Sequence, residues 1–274
     1  MSKVSILVPL YETNSEHLKQ MISSVLEQSF KDFELVLLND SPWNKELYKI
    51  ISEFKDRRII YIENEKNLGI SESRNKLIEL SSSEYIAILD HDDICERNRL
   101  ELQVDFLNKH QEIGVVSGGN IEIPSNRITL YPETNEEIKK HLLDGCCVLH
   151  PAAMIRRKVL IENNIRYEKN FTPAEDYKLW VSLIDKTMFY NLPIPVIKYR
   201  NHQGNTSHRL AESMRDKDLL IKSEALRKFP YYTVEYKRKT WLYLFGLIPI
   251  VKIKKESDSK KYLLFGIINI LTRR

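Results

Sequence analysis

The first 117 residues alternate between short apolar runs and longer segments in which apolar residues recur at helical spacing. The apolar runs predict strands at 3–9, 33–39, 58–63, 84–89 and from 114 onward. The helical spacing predicts helices at 14–28, 46–54, 71–80 and 96–110. Strands that alternate with helices indicate βαβ units. We therefore expect an α/β, Rossmann-like fold with a mainly parallel twisted sheet that helices cover on both faces.

The pattern is less regular after residue 117. We predict a strand or hairpin at 120–131, an extended segment at 150–156, and helices at 133–143, 158–163, 174–185 and about 210–228. Pro193 and Pro195 interrupt the apolar segment 188–199. Because proline cannot donate a hydrogen bond within a ladder, this segment is predicted to form edge strands.

The composition is that of an ordinary globular protein, with 274 residues, 42% hydrophobic and 29% charged positions. Cys95, Cys146 and Cys147 are an odd and sparse set, which favours a reducing compartment over a disulfide framework. The first residues do not resemble a signal peptide, and no uncharged stretch reaches the roughly 20 residues of a membrane-spanning helix. These features predict a cytoplasmic location.

Charge is unevenly distributed along the chain. Residues 230–274 carry ten Lys and Arg against three Asp and Glu, whereas residues 1–229 carry 32 basic and 35 acidic side chains. The tail also repeats the apolar segment 244–250 (LFGLIPI) at 264–270 (LFGIINI). We expect a helical, amphipathic extension at 208–274 that contacts an anionic membrane surface, or else packs on the domain. An acidic body without a reading element does not indicate a nucleic-acid partner.

Three carboxylates follow the apolar strand at 84–89: Asp90, Asp92 and Asp93. Asp93 is expected to cap the next helix. Capping does not account for Asp90 and Asp92 together, because clustered like charges are costly unless a cation neutralises them. Mg²⁺ and Mn²⁺ typically bind one or two carboxylates together with substrate phosphates, so this segment predicts a divalent cation and a phosphorylated ligand.

Several motifs resemble those of family 2 glycosyltransferases, which are inverting, metal-dependent enzymes of the GT-A fold that use nucleotide sugars. The matching segments are 4–11 (VSILVPLY), 28–40 (QSFKDFELVLLND), 67–69 (NLG), 74–75 (RN), 89–93 (LDHDD), 175–180 (EDYKLW) and 199–202 (YRNH). They occur in the family's order. The resemblance implies a GT-A domain at 1–207, with a nucleotide-sugar-binding half at 1–117 and an acceptor half at 118–207, followed by the extension at 208–274.

The resemblance implies a binding site for the nucleotide of the donor, which is expected to be UDP-linked. It places Pro9, Tyr11 and Glu12 around the base and ribose, and makes Asp40 the acceptor of a hydrogen bond from the uracil imide. Asn67, Gly69 and Arg74 would line the same pocket, although Arg74 could instead form a salt bridge on a helix face. Glu12 stands where the family more often has Asn, and residues 41–43 (SPW) replace its usual Gly-Ser turn.

The resemblance makes residues 90–92 the family's DxD motif. Asp90 would meet the ribose or a metal-bound water, Asp92 the Mn²⁺ or Mg²⁺ that bridges the diphosphate, and His91 would fill the variable middle place. His202 would complete the metal site, although a lone loop histidine is more often a surface residue. His150 would line the sugar pocket.

Glu175 and Asp176 open a predicted helix, where the helix dipole alone favours acidic residues. The resemblance makes Asp176 the catalytic base that deprotonates the acceptor hydroxyl, with Glu175 in acceptor binding or support. It implies a hexosyl- or N-acetylhexosaminyl-transferase acting on a glycan or lipid-linked glycan of the cell surface, such as capsule, lipopolysaccharide or O-antigen, at the inner face of the cell membrane. The alternatives are a sugar nucleotidyltransferase, which would need a glycine-rich phosphate loop, and a non-catalytic nucleotide- or membrane-binding scaffold.

Overall fold

The first half of the chain forms strands and helices in alternation. The computed structural model describes residues 2–232, 240–244, 248–256, 259–264 and 268–273. The elements up to residue 109 are β1 (Val4–Leu10), α1 (Ser15–Leu26), β2 (Phe33–Asn39), α2 (Glu46–Glu53), β3 (Ile59–Glu63), α3 (Ile70–Leu80), β4 (Tyr85–Ile88), β5 (Ile94–Cys95) and α4 (Arg99–Lys109). The predicted order of these elements is confirmed. The one addition is β5, which occupies the region where Asp93 was expected to cap a helix.

The second half is less regular, as the sequence indicates. Its elements are β6 (Ile113–Ile123), β7 (Ile128–Thr129), α5 (Asn135–His141), β8 (Met154–Arg156), α6 (Arg157–Glu162), α7 (Glu175–Ser182), β9 (Met188–Arg200), α8 (Thr206–Arg209) and α9 (Ala211–Lys228). β6 and β7 form the predicted hairpin, since Asn120 pairs with Thr129 and Ile121 with Ile128 in antiparallel register.

One sheet joins both halves, in the order β3-β2-β1-β4-β8-β6-β9-β5, with β7 on β6. The strands β3, β2, β1 and β4 are parallel, as predicted. Beyond β4 the sheet is mixed, because β8 runs antiparallel to β4 and β6, whereas β6 and β9 are parallel. Since β6 crosses residues 117 and 118, the two predicted halves share a continuous sheet.

The sheet is buried on both faces, as the near-continuous apolar strands predict. Alternate residues of β2 contribute to two separate cores: Val36 and Leu38 pack in one, and Leu35 and Leu37 in the other. Helices α1, α2 and α4 cover the second core, whereas α3, α5 and α7 cover the first. This packing leaves the carboxyl ends of β1 to β4 free to line a cleft.

β9 is not an edge strand along its whole length, contrary to the prediction from its prolines. It lies between β6 and β5 in the sheet, although β5 pairs only with Ile197 and Lys198. The register with β6 shifts between Gly118 and Gly119, where the partner changes from Leu192 to Pro195. This irregularity lets Pro193 and Pro195 lie inside the strand, because their missing N–H groups fall where the ladder is interrupted.

The extension is helical only in its first part. α9 corresponds to the predicted helix at about 210–228, but the prediction of a helical extension is wrong for the described residues beyond 239. These form β10 (Thr240–Leu244), β11 (Ile248–Glu256), β12 (Ser259–Leu264) and β13 (Ile268–Arg273), an antiparallel sheet in that order. Their alternating β-branched, aromatic and basic residues favour strands over helices. Residues 245–247 and 265–267 of the repeated segment lie outside the described residues.

No described helix combines the length and the apolar character needed to cross a bilayer. The predicted contact of the extension with an anionic membrane remains a prediction.

Candidate active site

A cleft of about 980 Å³ opens at the carboxyl ends of β1 to β4. Every residue that the sequence singled out for the site lines this cleft: Pro9, Tyr11, Glu12, Asp40, Asn67, Gly69, Arg74, Asp90, His91, Asp92, His150, Glu175, Asp176 and His202. The members come from loops and helices that are far apart in sequence. The acidic segment at 90–92 and the acidic pair at 175–176 thus lie in the same cleft, as they must if both are to act on one substrate.

Asp40 organises one end of the cleft. Its Oδ1 accepts from Asn64 Nδ2 and the amide of Leu68, both at 2.8 Å. Its Oδ2 accepts from Asn67 Nδ2 at 3.1 Å and the amide of Gly69 at 2.9 Å. Four donors fill the lone-pair capacity of a carboxylate, so a base imide would have to displace one of them. In this conformation Asp40 fixes the loop 64–69, rather than presenting a free acceptor as predicted.

Gly69 begins α3 with a backbone that ordinary residues rarely adopt. Its φ is +84°, in the region that favours glycine, and it turns its amide toward Asp40. The neighbouring loop at the end of β1 is also in an uncommon conformation, since Glu12 has a φ of +46° and donates its amide to Ser41 Oγ at 3.1 Å. Both loops are thus fixed by contacts with the residues that follow β2.

Arg74 lies at the centre of the site and is paired with carboxylates from two different segments. Nη1 donates to Glu175 Oε1 at 2.7 Å, and Nη2 contacts Asp90 Oδ1 at 3.3 Å. The side chains of Arg74 and Glu175 are only 11% and 7% exposed. Burial alone would lower the pKa of Arg74, but the Glu175 and Asp90 carboxylates raise it above its usual value. The salt-bridge alternative considered for Arg74 is therefore what the structure shows, and it joins α3, β4 and α7.

Asp176 is half-buried next to this ion pair. One carboxylate oxygen accepts from the amide of Tyr177 at 2.7 Å. Burial, together with the negative charge of Glu175, raises the pKa of Asp176 to about 6, although Arg74 acts in the opposite direction. A carboxylate with a pKa near neutrality is suited to accept a proton in catalysis.

Asp92 and His202 are brought together from the loop between β4 and β5 and the segment after β9. Asp92 Oδ2 and His202 Nε2 are 2.9 Å apart. Asp90, in contrast, is turned toward Arg74. No group of three or more His, Cys, Asp and Glu side chains within the described ranges is placed to hold a metal ion. The structure therefore brings Asp92 and His202 together, and the roles of Asp90, Asp92 and His202 at a metal stay predictions.

Asp93 does not cap a helix, so that prediction is wrong. Its Oδ1 accepts from the amide of Arg200 at 2.8 Å. The Arg200 side chain donates from Nε to the Asp92 carbonyl at 2.8 Å and from Nη2 to Gln20 Oε1 at 2.7 Å. Burial and the charges of Asp90 and Asp92 raise the pKa of Asp93. Asp93 and Arg200 thus fix the acidic loop against the end of β9.

His150 lies on the side of the cleft formed by the second half of the chain. Its Nε2 is 2.8 Å from the Tyr167 hydroxyl, and its ring also contacts Trp180. Burial and the charge of Arg74 lower the pKa of His150 well below its usual value, so the imidazole is neutral.

The sequence did not single out several residues that line the cleft at its mouth and on the side formed by the second half of the chain: His17, Asn120, Glu122, Arg127, Tyr131, Cys146, Thr172 and Arg209. They come from α1, the β6–β7 hairpin and connecting loops. No short motif marks them, because the sheet brings them together through the irregular second half of the chain. Only the predicted hairpin at 120–131 pointed to part of this wall.

Comparison with known proteins tests the resemblance seen in the sequence. The model of the protein family "Glycosyl transferase family 2" matches residues 5–163 of this chain. The chain is 35% identical over 188 residues to the uncharacterized glycosyltransferase MJ1057 of Methanocaldococcus jannaschii, which covers 66% of this chain and 64% of that relative. It is 31% identical over 223 residues to WfgD of Escherichia coli, a UDP-Glc:alpha-D-GlcNAc-diphosphoundecaprenol beta-1,3-glucosyltransferase, which covers 79% of this chain and 85% of WfgD.

Among solved structures, the chain is similar to TarS 1-349 of S. aureus in complex with UDP-GlcNAc. The TM-score is 0.67 and the identity 18%, over 85% of this chain and 73% of TarS 1-349. This similarity confirms the predicted GT-A fold. The family follows from the match of the family model over residues 5–163 and from the 31% identity to WfgD. The chain belongs to glycosyl transferase family 2.

Proposed function

We propose that this protein transfers a sugar, with inversion, from a UDP-linked donor to a growing cell-surface glycan such as capsule, lipopolysaccharide or O-antigen. One observation carries the proposal: Asp92 and Asp176 line the same cleft, and Arg74 joins the segments on which they lie. The UDP-Glc donor and diphosphoundecaprenol-linked acceptor of WfgD support a UDP-linked donor and a lipid-linked acceptor, and the UDP-GlcNAc bound to TarS supports the same donor class.

The donor nucleotide would lie at the end of the cleft formed by the loops after β1, β2 and β3. Pro9, Tyr11 and Glu12 would contact the base and ribose, with Asn67 and Gly69 on the opposite side. In this proposal Asp40 acts mainly through the loop 64–69, which it holds by four hydrogen bonds. Fixing this loop before the donor arrives lowers the entropy cost of binding.

The residues near the proposed diphosphate position fit a divalent cation. Asp92 and His202 offer a carboxylate and an imidazole 2.9 Å apart at the cleft surface, with Asp90 and His91 beside them. Oxygen-rich sites that hold Mg²⁺ or Mn²⁺ take one or two carboxylates and leave the remaining positions to substrate phosphates. When bound, the cation would stabilise the negative charge that develops on the departing nucleoside diphosphate. Asp92 and His202 would hold it in place.

Asp176 is the proposed catalytic base. Its carboxylate takes the proton of the acceptor hydroxyl as that oxygen attacks the anomeric carbon, on the face opposite the departing diphosphate. Glu175 Oε1 is bound to Arg74, while Oε2 is buried and has no hydrogen-bond partner among the described residues. We assign Glu175 to acceptor support, because its bond to Arg74 fixes the start of the helix that carries Asp176.

The transferred unit would be a hexose or an N-acetylhexosamine, and His150 would line its pocket. The neutral imidazole of His150 can accept or donate a hydrogen bond to a sugar hydroxyl without introducing a buried charge. The acceptor would be a glycan or lipid-linked glycan, reached at the inner face of the cell membrane through the basic extension at 208–274.

The first prediction tests the base. Asp176→Asn keeps the size and polarity of the side chain but removes its ability to take a proton, so we expect transfer from UDP-sugars to fall by about 10²- to 10⁴-fold. UDP affinity should stay within about threefold of the wild-type value, since the change lies outside the nucleotide end of the cleft. Rates of transfer and calorimetric titration with UDP and Mn²⁺ measure the two quantities.

Asp105→Asn is the matched control for the same chemical change, because Asp105 is exposed on α4 and lies outside the cleft. Normal turnover by Asp176→Asn would contradict the assignment of the base. Release of pyrophosphate from a nucleoside triphosphate and a sugar phosphate by the wild-type protein would favour the nucleotidyltransferase alternative. UDP binding with no donor turnover in the wild-type protein would favour the scaffold.

A further inference from the structure

Two large aromatic side chains stand exposed at the nucleotide end of the cleft. Tyr11 lines the cleft and is 45% exposed, whereas Trp43 is 59% exposed and reaches the cleft edge through its contact with Tyr11, without itself being a lining residue. Their ring centroids are 6.2 Å apart and the ring planes meet at 89°. The two rings therefore form a right-angled corner, which we call the aromatic corner. A tryptophan with this much of its surface in water, next to a cleft, requires an explanation beyond core packing.

The backbone holds Trp43 in an outward position. Residues 41–44 form a tight turn, in which the amide of Asn44 donates to the Ser41 carbonyl at 2.8 Å. Pro42 occupies the second position of this turn, where its fixed φ is favourable. The turn is attached to the end of β2 because the amide of Ser41 donates to Asn39 Oδ1 at 2.8 Å. Trp43 is thus carried on a short, internally bonded turn.

The same turn is bound to the loop that carries Tyr11. Ser41 Oγ accepts from the amide of Glu12 at 3.1 Å, and the amide of Asp40 donates to the Leu10 carbonyl at 2.8 Å. On one loop, the bonded residues Leu10 and Glu12 stand on either side of Tyr11. On the other loop, the bonded residues are the two that precede Pro42 and Trp43. The relative position of the two rings is therefore fixed by the backbone as well as by their own contact.

We propose that Trp43 is a nucleobase-binding residue of the donor site, and that it forms one wall of the aromatic corner. The base stacks on the ring of Tyr11, and the perpendicular indole of Trp43 packs against the edge of the base. A planar base placed on one ring of a right-angled pair meets the second ring in this way without rearrangement. This inference rests on the proposed function, since it assumes that the cleft binds a nucleoside diphosphate.

Nucleotide titration of the full-length protein tests the inference. In the presence of Mn²⁺, we expect Trp43→Ala to weaken UDP binding about tenfold relative to the wild-type protein, within the range seen when an aromatic side chain is removed from a base. Trp43→Phe should retain most of the affinity, because the apolar wall is kept. Tyr48→Ala is the matched control: Tyr48 is 57% exposed on α2 and its ring contacts Tyr61 rather than Tyr11, so its removal should leave UDP affinity unchanged.

Tryptophan fluorescence gives a second readout that a purely structural role of Trp43 would not move. UDP should quench the emission of the wild-type protein, and most of this quenching should be absent in Trp43→Phe although that variant still binds UDP. Trp180 is fully buried in the core, and both Trp180 and Trp241 are present in Trp43→Phe, so the quenching that this variant loses is that of Trp43. The inference is overturned if Trp43→Ala binds UDP as tightly as the wild-type protein, or if the quenching persists in Trp43→Phe.

These outcomes are distinct from a failure of the proposed function. A wild-type protein that binds no nucleoside diphosphate would contradict the donor site as a whole. A wild-type protein that binds UDP, with an affinity that Trp43→Ala leaves unchanged, would contradict only the aromatic corner, and would instead favour Trp43 as a contact for another protein. Trp43→Ala is expected to fold, because the side chain is exposed and only its contact with Tyr11 is removed.

Discussion

At the scale of single residues, the charge state of Asp176 sets the pH dependence of the proposed reaction. Its pKa is raised to about 6, first by burial and then by Glu175. The base must be deprotonated to act, so activity is full above this pKa and falls as pH drops through it. We expect kcat/KM to decrease about tenfold per pH unit below pH 6. A rate profile from pH 4.5 to 8 measures this limb, and a flat profile would contradict it.

The neighbouring Glu175 provides a test of the cause of this shift. Glu175→Gln removes a negative charge beside Asp176 and also leaves Arg74 freer to attract it, and both changes lower the pKa of Asp176. We therefore expect the acidic limb of the pH–rate profile to move to lower pH, even if the maximal rate falls. Glu162→Gln, an exposed carboxylate outside the cleft, should leave the limb in place. A limb that moves to higher pH would show that the sign is wrong.

The sequence predicts which residues meet at the site better than it predicts how each is used. The end of a parallel strand identifies Asp40 and Asp92 as cleft residues, and both line it. The hydrogen bonds of Asp40 to the loop 64–69 depend on backbone geometry that no residue pattern encodes. Asp93 illustrates the same limit, since its partner, the amide of Arg200, is 107 positions away.

At the scale of elements, β6 depends on glycine where it packs between β7 and β9. A Cβ on Gly119 would lie 2.6 Å from the Thr129 carbonyl oxygen and 2.6 Å from Leu130 Cδ2, and 3.3 Å from the Ile194 carbonyl oxygen. Thr129 lies in β7 and Ile194 in β9, so both neighbours of β6 approach this point closely. The backbone carbonyl of Thr129 cannot turn away as a flexible side chain would.

We therefore expect Gly119→Ala to lower the free energy of unfolding by about 1–3 kcal/mol, the usual cost of overpacking. Gly145→Ala is the matched control, because a Cβ there meets nothing within 4 Å. Urea denaturation of both variants and the wild-type protein measures the difference. If Gly119→Ala proves as stable as Gly145→Ala, the three strands do not pack as closely as described.

The elements of the first half could be predicted because each is a short segment with its own periodicity and its own buried face. β2 at Phe33–Asn39 and α2 at Glu46–Glu53 agree with the predicted 33–39 and 46–54. The strands of the extension could not be separated from helices by the apolar repeat alone. Each copy of the repeat spans the connection between two paired strands, where Leu244 pairs with Ile248 and Leu264 with Ile268.

At the scale of the whole molecule, the distribution of charge divides the chain into two parts. Residues 1–229 carry slightly more acidic than basic side chains, whereas residues 230–274 carry ten basic and three acidic ones. An acidic body is repelled by an anionic membrane, so an attraction must come from the basic segment. A basic side chain near an anionic surface contributes about 1 kcal/mol, and the contribution weakens as salt screens the charges.

This asymmetry leads to a prediction for the full-length protein. We expect it to cosediment with vesicles that contain phosphatidylglycerol, to leave vesicles of phosphatidylcholine unbound, and to dissociate as NaCl is raised from 0.05 to roughly 0.5 M, where the Debye length falls from about 14 to 4 Å. Replacing Lys252, Lys254 and Lys255 by Gln should weaken the binding at low salt. Replacing the exposed Lys55, Lys109 and Lys158 of the body by Gln removes the same charge and should leave binding unchanged. Equal losses in both triple variants would mean that net charge, not the basic segment, attracts the membrane. Vesicle binding that does not weaken as the NaCl concentration rises would mean that apolar contacts dominate instead.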